Sequence, residues 1–181
     1  DLWLRDQKSA YQNAKVDKLK SGSVEHLQMA DRQGCLFHGT PSRASFKVLN
    51  PRTSRLHDSE VIFAGFPWVA ICFIARWTDR SVSMGTVDGK PYFHIHNHRV
   101  YEDFIKGGFV CQISPETFFR TERLTSFEFI STQKVPVISS VFVPDPLESL
   151  RQLGVDLLLP DDFSLIKKIK AKGRGSRLSD W

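Results

Sequence analysis

Between Cys35 and Val143 the chain breaks its apolar residues into short runs separated by turn-forming residues, and only one sustained helical pattern interrupts them. Runs at 35–38, 60–64, 82–87, 91–96, 108–113, 126–131 and 136–143 have the length and β-branched or aromatic content of strands. Val87-Asp88-Gly89-Lys90 predicts a tight hairpin, because Asp-Gly tolerates the positive φ values of a type I′ turn. Pro67 to Trp77 predicts a helix: Pro suits a first turn, and Val69, Phe73 and Ile74 recur at helical spacing. Short helices are also expected over Ser42–Leu49, at Ser114-Pro115-Glu116, over Pro146–Leu153 with Gly154 closing it, and over Phe163–Lys170. Many short strands with few helices imply an α+β fold with a largely antiparallel sheet.

The 181 residues suit one globular domain with a core. Residues 1–33 are polar, with Val24, Leu27 and Met29 as a weak apolar face and Ser23 as a candidate N-cap, so they are expected to form a helical arm. Residues 34–166 form the expected domain. Residues 167–181 form a basic tail: Lys167, Lys168, Lys170, Lys172, Arg174 and Arg177 against Asp180 account for the whole net charge of +5. A solvated end is the ordinary reading of such a tail, and phosphate contact over 167–177 is the functional one. No apolar run is long enough to span a membrane.

Cys35, Cys72 and Cys111 are odd in number, widely spaced and set among apolar neighbours, so buried thiols in a reducing compartment are expected. That implies a cytoplasmic protein, or one secreted as an effector. No Walker loop, GxGxxG, HExxH, GxSxG or CxxC pattern is present. This argues against P-loop nucleotidases, Rossmann dehydrogenases, zincins and α/β-hydrolases.

Three places are able to carry chemistry. In His38-Gly39-Thr40 a strand ends on an imidazole able to meet a ribose hydroxyl, beside a glycine that lets a flat ligand approach the backbone. Gly-Thr-Pro is equally good turn chemistry. In Ser126-Phe127-Glu128-Phe129-Ile130, alternation puts Ser126, Glu128 and Ile130 on one face of a strand. A glutamate facing a cleft there would stabilise an oxocarbenium-like transition state, and an exposed carboxylate is the plainer alternative. His94, His96 and His98 alternate on one expected strand face, as a two- or three-imidazole metal site or simply a polar face. No metal is expected.

In their order along residues 35–143 these pieces resemble the ADP-ribosyltransferase fold superfamily. Leu36-Phe37-His38-Gly39-Thr40 resembles its first motif. Val61-Ile62-Phe63-Ala64, with the helix bearing Ala70 and Phe73, resembles the second. Gly108–Ile113 resembles a later core strand, and Phe127-Glu128-Phe129-Ile130 the strand with the third-motif glutamate.

The resemblance implies a mono-ADP-ribosyltransferase, a transferase of the glycosyltransferase class that consumes NAD. His38 and Gly39 would hold the ribose and nicotinamide, with Thr40 beside them, and Glu128 would stabilise the oxocarbenium ion. The family's stacking aromatic falls at Ile62, or at Phe63 on a one-residue shift, with Tyr92 or Phe66 as substitutes. Ser126 replaces the first residue of the Gln-x-Glu or Glu-x-Glu pattern of arginine-directed relatives. The acceptor would then be another protein residue or a nucleic acid. A non-catalytic binding module on the same fold is the alternative. So is an RNA 2′-phosphotransferase-like enzyme, for which Arg43, Arg52 and Arg55 are candidate phosphate ligands.

Overall fold

The computed structural model describes residues 22–41, 45–53, 59–78, 80–121 and 125–159. The expected helix over Phe163–Lys170, the basic tail, Arg43 and Arg55 lie outside them.

In chain order the elements are α1 (Gly22–Arg32), β1 (Leu36–Thr40), β2 (Val48–Leu49), β3 (Arg52–Thr53), β4 (Glu60–Gly65), α2 (Pro67–Cys72), β5 (Val82–Val87) and β6 (Lys90–Ile95). Then follow α3 (His98–Phe104), β7 (Gly108–Ile113), β8 (Glu128–Ser131), β9 (Val135–Val143), α4 (Pro146–Gln152) and β10 (Asp156–Leu158). The main sheet runs β2-β9-β7-β1-β4-β3, with β8 also paired to β4, and every pairing in it is antiparallel. A second sheet runs β10-β6-β5, and its β10–β6 pair is parallel. The protein is thus mixed α and β, mostly antiparallel, with few short helices.

Asp88 (φ 51°) and Gly89 (φ 78°) form the expected turn between β5 and β6. α2 stops at Cys72, earlier than the expected Trp77. There the chain tightens: the Phe73 and Ile74 N–H groups donate three residues back, to the Ala70 and Ile71 carbonyls, and the Trp77 indole N–H donates to the Cys72 carbonyl at 2.6 Å. α3 was not expected. Its N-cap is Asn97, whose side-chain oxygen accepts from the Arg99 and Val100 N–H groups. α4 begins with the Asp145 carboxylate accepting from the Glu148 N–H and Pro146 in the first turn. Residues 45–49 give β2 instead of a helix end, because Val48 and Leu49 pair with Pro136 and Val135. Ser23 lies inside α1 and is buried, so it does not cap that helix.

Two cores flank the main sheet. One joins Leu27 and Ala30 of α1, Phe37, Ala70 and Ile71 of α2, Phe93 and Ile95 of β6, Phe104, Val110, Val143 and Leu150. The other, on the opposite face, joins Leu36, Leu49, Ile62, Ala64, Cys111, Ile113 and Val135. Cys72 and Cys111 are buried, and burial pushes both thiols up; Cys35 is half-buried. No helix among the described residues is long and apolar enough to cross a membrane.

Candidate functional site at the parting of two strands

β1 and β4 touch at a single register pair, Phe37 with Gly65, and then diverge. β4 turns its other edge to β8, where Gly65 pairs with Glu128. Phe37, Gly65 and Glu128 therefore form one row across three strands and share one face, the face that α2 covers. Two strand spacings put Glu128 about 10 Å from β1 across this row. His38 faces the other way, since it pairs with Cys111 in the second core.

The imidazole of His38 fills the opening. Its Nδ1 lies 2.7 Å from the Phe63 carbonyl oxygen, which can only accept, so Nδ1 carries the proton. Burial lowers the pKa of His38; the Phe63 carbonyl pulls it back up, and the charge of Arg52 lowers it again. The neutral ring thus presents Nε2 as an acceptor, suited to a hydroxyl donor such as a ribose O–H.

Two cavities meet at this parting and share His38, Gly39 and Phe63. The smaller, about 120 Å³, is walled by Phe37, Gly65, Val69, Ala70, Phe73 and Glu128. The larger, about 350 Å³, continues past Thr40, Asn50, Arg52, Thr53, Ile62 and Arg76, and has the size of a small-ligand site.

Glu128 is half-buried at the start of β8. Its Oε2 accepts from the Thr125 hydroxyl at 2.8 Å and from the Thr125 N–H at 3.3 Å, which fixes the carboxylate at the mouth of the smaller cavity. The expected alternation holds only from Glu128 onward. Ser126 and Phe127 belong to the preceding turn, and Phe127 is buried against Trp68 with ring centroids 4.9 Å apart. Gly39 has a packing role as well: a Cβ there would overlap the Ala70 carbonyl oxygen, so α2 rests directly on β1.

No family model, curated protein or solved structure matches this chain.

The structure thus brings Glu128, His38, Gly39, Thr40, Ile62 and Phe63 to one split cleft, but distributes them differently from the sequence expectation. Ile62 is buried on the second-core face and lines only the larger cavity. Phe37, Phe63 and Phe73 all line the smaller cavity with Glu128 and Gly39; Phe63 is the position reached on the one-residue shift, and Phe73, just past the end of α2, is tilted on Trp77 at 4.8 Å. Its signal lay in the sequence: Val69, Ala70 and Phe73 are spaced to share a helix face.

Tyr92 is placed elsewhere. It lies on β6 in the second sheet, where its ring stands against Gly85, and it lines neither cavity. Phe66 is exposed and pairs edge-on with Phe129, outside the cleft. Arg52 lines the larger cavity, and Arg76, which the sequence did not single out, joins it there.

The three histidines do not share a strand face. β6 ends at Ile95, His96 follows it, and His98 opens α3. His94 and His96 stack at 3.8 Å, and His96 Nε2 lies 3.1 Å from the Ser83 hydroxyl. Among the described residues no group of three His, Cys, Asp or Glu could hold a metal ion.

Proposed function

We propose that this protein is an ADP-ribosyltransferase that uses NAD as its substrate and transfers ADP-ribose to a protein or nucleic-acid acceptor. The observation that carries the reading is the convergence of Glu128, Gly39, Phe73 and a neutral His38 on one cleft at the parting of β1 and β4. Nicotinamide would enter the smaller cavity, with the Phe73 ring as its apolar wall. The ribose hydroxyls would meet Glu128 on one side and His38 Nε2 on the other. Arg52 and Arg76 would face the diphosphate in the larger cavity. The bond between ribose and nicotinamide then breaks, charge develops on the ribose ring, and the fixed Glu128 carboxylate stabilises it. An acceptor nucleophile attacks the same carbon and loses its proton.

The test is incubation with labelled NAD and a cell lysate, with parallel samples treated with nuclease or protease. Label that becomes acid-precipitable with wild-type protein and not with Glu128→Ala supports the reading. Equal labelling by the two proteins rejects it.

A second reading rests on the same two arginines. A pair of guanidinium groups beside His38 is also what a 2′-phosphotransferase acting on RNA needs to hold a phosphate. NAD-dependent loss of the 2′-phosphate from an oligonucleotide, with the phosphate carried onto ADP-ribose and nicotinamide released, distinguishes it.

A further inference from the structure

On the face of the main sheet opposite the smaller cavity lies a separate hollow of about 270 Å³, lined by Asp31, Gly34, Cys35, Leu36, Phe66, Pro115, Phe118 and Phe129. Its aromatic members come from three unconnected segments: the end of β4, the turn after Ser114, and β8. Phe66 is 36% exposed, so the hollow opens to solvent.

Asp31 sits badly for stability. It lies in the last turn of the 11-residue α1, where the helix dipole is negative and a carboxylate is disfavoured. It makes no ion pair with any described residue. Partial burial raises its pKa, and no cation among the described residues offsets that. A partly buried carboxylate with no ion pair among the described residues, beside helix-end carbonyls and aromatic faces, creates a field that attracts a cation. The Phe129 ring already shows this preference: the Arg120 guanidinium lies 4.5 Å from its centroid.

We infer that this hollow is a recognition site for an arginine side chain on a basic segment of a partner protein. The flat guanidinium stacks on Phe66 and Phe118, since Arg120 already covers Phe129, while its N–H groups face the Asp31 carboxylate. That combination suits guanidinium better than ammonium. The site is independent of the NAD reading, because none of its residues lines the cleft.

The probe is a labelled Gly-Ser peptide carrying three arginines, titrated by fluorescence anisotropy against the full chain. Saturable binding is expected. Asp31→Asn and Phe66→Leu should each weaken it by about tenfold or more. Asp31→Asn should leave the thermal midpoint unchanged or raise it, an outcome a purely structural carboxylate would not give. Equal binding by wild type and Asp31→Asn overturns the inference, as does equal binding of the same peptide with glutamine in place of arginine.

Discussion

His38 Nδ1 donates to the Phe63 carbonyl at 2.7 Å where the backbone ladder between β1 and β4 stops. A side chain thus replaces the next rung and holds the two strands at a fixed separation while leaving a gap between them. The same bond sets the tautomer, so the geometry that opens the cleft also decides which ring nitrogen faces it.

Stability should therefore depend on pH through His38. Its folded pKa lies below the ordinary histidine value of about 6.5, so below that pH the unfolded chain binds more protons than the folded one. The stabilisation is complete above about pH 6.5 and is lost as pH falls toward the folded pKa. Thermal midpoints measured from pH 7.5 to pH 5 should fall more steeply for wild type than for His38→Gln. Parallel curves would show that His38 does not titrate across this range.

Glu128→Gln keeps the shape of the side chain and a hydrogen-bond acceptor for Thr125, but removes the charge. The loss of stability should stay within about 1 kcal/mol, the scale of one partly exposed hydrogen bond. On the proposed reaction, NAD cleavage should fall by about a hundredfold or more, because the charge would act where the ribose becomes cationic. Thr125→Val should show an intermediate loss, since it removes the hydroxyl donor and leaves only the longer backbone N–H bond to hold the carboxylate. Chemical denaturation and a nicotinamide-release assay on the same preparations separate the two effects.

Gly39→Ala tests the contact between α2 and β1. The added methyl group meets the Ala70 carbonyl oxygen, a backbone atom that cannot swing aside. Overpacking of this kind should cost about 1–3 kcal/mol, read as a lower denaturation midpoint with an unchanged slope. A neutral substitution would mean that α2 moves freely over the strand, and the cleft wall with it.

The strands were legible because each apolar run is bounded by turn residues, and Asp88-Gly89 forms the turn that its chemistry requires. β2, β3 and β10 were not. They are two or three residues long and exist through pairing with β9, β4 and β6, a long-range property with no local signal. α2 ends before the expected Trp77 because the chain tightens at Phe73 and Ile74, where no breaker residue marks the place. α3 was missed because the alternating histidines before it suggested a continuing strand, although Asn97 was a legible cap. In the site, the order of His38, Gly39 and Glu128 was readable, but the face each side chain occupies depends on the single Phe37–Gly65 register pair. The hollow around Asp31 had no sequence signal at all, since four distant segments meet there.

The two faces of β4 give the sharpest discrimination. Ile62 occupies the position at which the family resemblance expects the stacking ring, yet it is buried among Leu36, Cys111 and Ile113 on the far face. Phe63, the one-residue alternative, lines both cavities, and Phe73 walls the smaller one beside it with Glu128 and Gly39. Phe73→Leu should therefore raise the dissociation constant for nicotinamide or NAD by about three- to tenfold, the worth of one aromatic contact. Ile62→Val should leave that constant within twofold, at a stability cost of about 0.5–1.5 kcal/mol for the lost methylene. Calorimetric titration of both variants decides the matter. A large effect at Ile62 with none at Phe73 would mean that the ligand enters from the second-core side and that the smaller cavity is only a packing defect under α2.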